Sequence, residues 1–220
     1  MSINRQHSFW GPSSPLGGLT GAGLLVMASA RLSWAITVAG CIFWVYGFTA
    51  FTFSLLLSLL GKKIFPVKGS KVLYVCLASF WGSVYILIFW LLCPFAVFEV
   101  FLLLLLVPLY FAGSDIIEQL VLLPENSYRD VFEDVSDAFS QATVLSVLII
   151  LFSIIREPLS YCSLTFPGSY QGMITIMYFN SNSFFPIRIF SVTAGALILL
   201  GYLICLYQYS KNYIFPGDIK

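Results

Sequence analysis

A few ionisable residues interrupt long apolar stretches of this chain, and they are the groups whose type and position could do chemistry. Arg31 lies inside the apolar stretch Leu16 to Gly61, Glu99 opens the run from Val97 to Ile117, and Asp115 stands near the end of that run. Arg156 and Glu157 are adjacent, just beyond the run Ala138 to Ile155. A charge surrounded by hydrocarbon is costly, so such residues usually face a cavity, pair with one another or line an ion path. The chemistry on offer is charge pairing and ion handling. Each residue also has a plainer reading. Arg31 can snorkel from a span boundary, Glu99 can be an interfacial acid, and Asp115 with Glu118 can begin a solvated acidic loop. Arg156 and Glu157 can form a structural pair that locks a helix end.

Other reactive types are poorly arranged. Cys41, Cys76, Cys93, Cys162 and Cys205 contain no Cys-x-x-Cys pair and no zinc-ribbon spacing, so each reads as a small apolar residue of a helix or turn. The single histidine, His7, sits in a polar N-terminal stretch, which removes a histidine metal cluster and leaves a Ser-His-Asp triad without a credible base. The acidic run Asp130 to Asp137 reads as a solvated face. Gly195 and Gly201 read as small residues that allow close helix contact. No catalytic, metal-binding or cofactor-binding residue is expected.

The elements that must position these residues follow from composition. The chain of 220 residues is 59% hydrophobic and 10% charged, with a mean hydropathy of +0.92; soluble domains carry roughly 25% charged residues. This composition predicts an all-α integral membrane protein. The near balance of 11 basic and 10 acidic residues leaves no basic stripe for nucleic acid. Residues 1–15 read as a retained polar tail, residues 16–209 as a membrane domain and residues 210–220 as a C-terminal tail. Leu16 to Gly61 is too long for one span and predicts two, joined near Gly40. Further spans are predicted over Val72 to Leu92, Val97 to Ile117, Ala138 to Ile155 and Arg188 to Tyr207, six in all. Cys93-Pro94 predicts a turn, Glu118 to Asp137 a polar connector, and Leu159 to Ile187 a long loop with Met173 to Phe179 touching the membrane interface. Arg5, Lys62, Lys63, Lys68, Lys71, Arg129, Lys211 and Lys220 then share one side, against Arg156 and Arg188 on the other. That bias puts both termini in the cytoplasm. Tryptophans 10, 34, 44, 81 and 90 are expected near span ends, as interfacial anchors.

Four stretches carry a resemblance to a known family. Ile154-Ile155-Arg156-Glu157-Pro158-Leu159, followed by Cys162-Ser163-Leu164-Thr165-Phe166-Pro167-Gly168, resembles the "IRE-x-LG-x-GTLFG" segment of the Rnf/Nqr membrane subunits. Tyr46 to Leu56 running into Lys62-Lys63-Ile64-Phe65-Pro66 is similar to a helix of that family that ends in a basic loop. Val107-Pro108-Leu109 and Ala194 to Gly201 resemble two further helix segments, in the same order. The resemblance spans about residues 25–209. It implies six helices in two inverted three-helix halves, in an inner-membrane subunit of an ion-translocating electron-transfer complex. A related six-helix subunit or a larger oxidoreductase would be its partner within the lipid bilayer.

The departures bear on function. Family members carry cysteines in the first and fourth helices that ligate an iron–sulfur centre between paired subunits. Counted without gaps, those positions fall at Arg31 and at Ser114, beside Asp115. Thiolates hold such clusters, so the resemblance implies a divergent subunit without cluster ligands of its own, shaping an ion or electron path or serving assembly. The alternatives are a paralogue acting as a small-solute or ion transporter, with Arg31 and Asp115 in a polar cavity, and a pure scaffold subunit.

Overall fold

The computed structural model describes residues 23–60, 67–112, 131–168, 173–179 and 187–214. A helical segment over residues 23–28 is followed by a break at 29–31 and then, among the described residues, by five helices. These are α1 (Leu32–Leu60), α2 (Val67–Leu92), α3 (Pro94–Ala112), α4 (Val131–Tyr161) and α5 (Thr193–Ile214). Between α4 and α5 lie strands β1 (Ser163–Pro167) and β2 (Met173–Tyr178) and a short 3-10 turn, Arg188–Ser191.

Among the described residues, three stretches are long and apolar enough to cross a bilayer: Leu32–Leu56, Val72–Leu92 and Ala138–Tyr161. Pro94–Pro108 and Thr193–Leu206 are shorter apolar helices. The protein is therefore helical and membrane-embedded, with many large apolar side chains turned outward, among them Leu87, Leu91, Phe98, Leu102 and Leu151. In a bilayer such side chains meet lipid, because hydrocarbon tails solvate them as well as a protein core would.

α1 is the central element. Its middle is buried on several sides, with Ala35, Val38, Cys41, Ile42, Val45 and Phe53 in one core cluster with Tyr74, Ala78, Val97, Val100, Leu104 and Ile149. α2 and α4 run antiparallel to it and α3 runs parallel. Trp34 near its start donates to Glu99 near the start of α3. Tyr85 of α2 donates to the carbonyl of Thr37, and Ser146 of α4 to that of Ala39. The starts of α1 and α3 thus share one end of the bundle with the last turns of α2 and α4. Close crossings use glycine. A Cβ on Gly47 would stand 2.5 Å from the Phe139 ring, and one on Gly82 would stand 2.9 Å from Pro108 Cγ.

Several expectations are corrected here. The stretch Leu16 to Gly61 does not turn at Gly40. α1 runs straight through it, and Gly40 instead makes room for the Tyr85 hydroxyl, which a Cβ would approach to 2.7 Å. The interruption lies at 29–31, so Arg31 precedes the long helix instead of sitting within a first span. Trp44 consequently lies inside α1, packed among Phe48, Trp81 and Tyr85, and is no interfacial anchor. The expected polar connector Glu118 to Asp137 is helical from Val131 onward, where α4 begins; its remainder, 118–130, lies outside the described residues. Arg156-Glu157-Pro158 does not end α4, which continues to Tyr161. Cys162, with φ at 52°, ends it. That left-handed residue donates its N–H to the Pro158 carbonyl at 3.0 Å and swings the chain into β1. The loop Leu159 to Ile187 contains an antiparallel hairpin. Gly201 is open, with nothing within 4 Å of a Cβ, whereas a Cβ on Gly195 would strike the Ile189 carbonyl of the 3-10 turn. The last helix continues beyond residue 209, to Ile214.

Candidate functional site

The described residues converge on one polar cluster, at the end of the bundle where α1 begins and α4 finishes. Arg156 and Glu157 are the largest charged side chains in the interior, 1% and 0% exposed. Both lie on the inward face of α4, in line with Ser153, Ser146 and Ala142 at helical spacing. Adjacent residues on a helix diverge by about 100°, and these two reach different parts of the chain. They do not pair with each other, which corrects the expectation of a mutual ion pair at the helix end.

Arg156 binds two segments, residues 26–29 and the 3-10 turn. Its guanidinium donates from Nε to the Phe190 carbonyl at 2.8 Å and from one terminal nitrogen to the Ser191 carbonyl at 3.0 Å. The other terminal nitrogen donates to the carbonyl of Val26 and to the Ser29 hydroxyl oxygen, the latter at 3.3 Å. The rigid fork of guanidinium donors suits such divergent acceptors. Val26 belongs to the last turn of the 23–28 segment, whose carbonyls have no partner within the helix. The Ser29 hydroxyl donates to the same Val26 carbonyl at 3.2 Å. A cation therefore sits at the negative end of one short helix.

Glu157 performs the reciprocal task. Its Oε2 accepts the amide N–H of Leu32, the first residue of α1, at 2.7 Å. Its Oε1 accepts the Thr165 hydroxyl of β1 at 2.7 Å. A carboxylate at a helix N-terminus satisfies a free amide and complements the helix dipole. Two neighbours in sequence thus cap both sides of the 29–31 break: the arginine on the segment that ends there, the glutamate on the helix that starts there. Apolar packing surrounds the cap. Val26 lies in a cluster with Phe152, Ala196 and Leu199, while Leu24 and Ala28 belong to the α1-centred core.

Arg31 stands at the break, half-buried. Its guanidinium donates to Met173 Sδ at 2.8 Å and lies 5.1 Å from the centre of the Tyr161 ring. Cation–π contact and a soft sulfur hold it, and among the described residues no carboxylate pairs with it. Glu99 is exposed and accepts the Trp34 indole N–H at 2.9 Å. Ser114 and Asp115 lie outside the described residues. The last helical residue before them, Ala112, belongs to the end of α3 remote from Glu99 and Arg31. Among the described residues, no group of three His, Cys, Asp or Glu side chains is placed to hold a metal, and no two cysteines are joined by a disulfide.

Sequence reasoning located Arg31, Arg156 and Glu157 but missed their partners. Thr165 lies in the motif-like stretch Cys162 to Gly168, so its neighbourhood was already marked. Leu32, Val26, Phe190 and Ser191 contribute backbone groups, which leave no trace in residue type. Met173 and Tyr161 look like any apolar residue of a membrane protein. As built, the site braces a helix break; it has no nucleophile–base pair. No known protein-family profile and no curated protein matches this chain.

Proposed function

We propose that this chain is a divergent membrane subunit of the Rnf/Nqr type, shaping the ion or electron path of a larger ion-motive oxidoreductase, or its assembly, without iron–sulfur ligands of its own. One observation carries the reading. The residues that clamp the helix break are those of the Ile155-Arg156-Glu157 stretch on which the resemblance rests, and the break they clamp lies at Arg31, where the family-like register expects a cysteine. Interrupted helices are where membrane proteins build paths for ions, because freed backbone groups and helix ends provide polar contacts inside the membrane.

In this reading the chain has six spans in two inverted three-helix halves, with the 23–28 segment belonging to the first. Both termini face the cytoplasm, and the end bearing Arg156, Glu157 and the hairpin faces outward across the inner membrane. A paired six-helix subunit would lie against its lipid-facing helices.

The test is purification of the tagged chain from its native membranes in a mild detergent. Recovery with flavin- or iron–sulfur-bearing subunits of an oxidoreductase is the expected result. Recovery of the chain alone, with uptake of a small solute into vesicles made from it, would overturn the proposal in favour of a transporter.

A further inference from the structure

We propose that the β1–β2 hairpin lies in the headgroup–acyl boundary of the bilayer, with its outer face against lipid. The observation is an inverted polarity. In a hairpin that packs on a soluble core, apolar side chains point inward and polar ones outward. Here the inward side chains do polar work: Thr165 donates to Glu157 and Met173 receives Arg31. The outward ones are apolar. Phe166 and Ile174 are directly paired across the strands and both exposed, and Ile176 is exposed beside them, at the irregularity opposite Leu164/Thr165. Only an apolar medium outside rewards that arrangement.

Two further observations select lipid as that medium. α4, whose outward apolar surface includes Leu151, Ile154, Ile155 and the exposed Tyr161 at its end, is separated from the hairpin by Cys162 alone, so the hairpin follows directly on a lipid-facing surface. In addition, the sequence from Pro158 to Ile187 contains no Asp, Glu, Lys, Arg or His. A segment projecting into water would ordinarily carry charge. Depth is limited by the backbone. Among the described residues the sheet has two strands, so each strand has an edge whose N–H and C=O groups no third described strand pairs. Hydrocarbon does not tolerate those, whereas water and headgroups satisfy them. The boundary region accommodates both requirements. The inference is independent of any role in electron transfer.

The experiment uses the unaltered protein in vesicles of phosphatidylcholine and phosphatidylglycerol that contain a lipid with a photoactivatable diazirine on its acyl chain. Adducts are mapped by mass spectrometry, and aqueous hydroxyl radicals report separately on Met177. The expected result is labelling of the peptide 173–178 at a yield within about threefold of that on 151–155, stronger when the diazirine is near the headgroup than at the chain end. Ile174→Asp with Ile176→Asp should lower that labelling at least fivefold while leaving 151–155 labelled, which shows that the bundle is intact. Labelling of α4 alone with Met177 readily oxidised would mean that the hairpin projects into water. Labelling of α4 alone with Met177 protected would mean that a second protein surface covers it. Stronger labelling from the chain end would place it in the hydrocarbon core. Each of these three outcomes overturns the proposal.

Discussion

Glu157 Oε2 and the Leu32 amide nitrogen lie 2.7 Å apart across a sequence separation of 125 residues. That contact ties the start of the central helix α1 to the end of α4. Because the same carboxylate also receives Thr165, it joins the helix cap to the hairpin. The first expected outcome follows from this. In Glu157→Gln the amide keeps one acceptor oxygen and turns an NH₂ group toward a donor, leaving a buried polar group unpaired at a cost of about 1–3 kcal/mol. Glu133→Gln, in the acidic run, should change stability by less than about 0.5 kcal/mol. Thermal unfolding of the two variants in detergent checks this; equal tolerance would remove the capping role.

Arg156→Lys should be more damaging than its conserved charge implies. One ammonium cannot reach Val26, Phe190 and Ser191 together, and buried carbonyls lose their donors. A loss of about 3 kcal/mol is expected. Arg31→Lys, at a half-buried position with a sulfur and a ring as partners, should cost about 1 kcal/mol or less. Size-exclusion profiles after graded heating measure the difference.

Glycine substitutions separate packing from mere smallness. Gly47→Ala forces a methyl group onto the Phe139 ring, where α1 crosses α4, and overpacking of this kind costs about 1–3 kcal/mol. Gly201→Ala meets nothing within 4 Å, so the gain in helix propensity, up to about 1 kcal/mol, should leave it neutral or more stable. Comparative melting of the two variants distinguishes them.

The purified chain should contain no stoichiometric iron and show no visible absorption of an iron–sulfur centre. A guanidinium at position 31 cannot coordinate iron, and a serine or aspartate at 114–115 supplies a hard oxygen in place of soft sulfur. Metal analysis together with the visible spectrum checks it. Iron at one equivalent or more would direct attention to Cys41 and Cys93.

Orientation is open to direct measurement. A reporter fused after Lys220 should be active in the cytoplasm, and one inserted between Gly168 and Met173 should be active outside, as the Lys/Arg bias requires. The reverse pattern would overturn the assignment of sides.

Composition and charge position alone were enough to read a helical membrane protein. The span Val72 to Leu92 was legible to the residue, because charges and a Cys-Pro break bound a uniform apolar run. The residues at the heart of the polar cluster were legible too, since Arg31, Arg156 and Glu157 are conspicuous against hydrocarbon. What they touch was not. Gly40 in sequence suits either a turn or a close approach, and only the Tyr85 hydroxyl packed against it decided the matter. The break at 29–31 is invisible in hydropathy because Ser29 and Ala30 are as compatible with a helix as with its interruption. It exists because Arg156 and Glu157, distant in sequence, supply a cation to the helix that ends there and an anion to the one that begins. Side-chain type reveals which residues carry charge. The partners here are mostly backbone carbonyls and amides, common to every residue, and only tertiary packing determines which of them the charges meet.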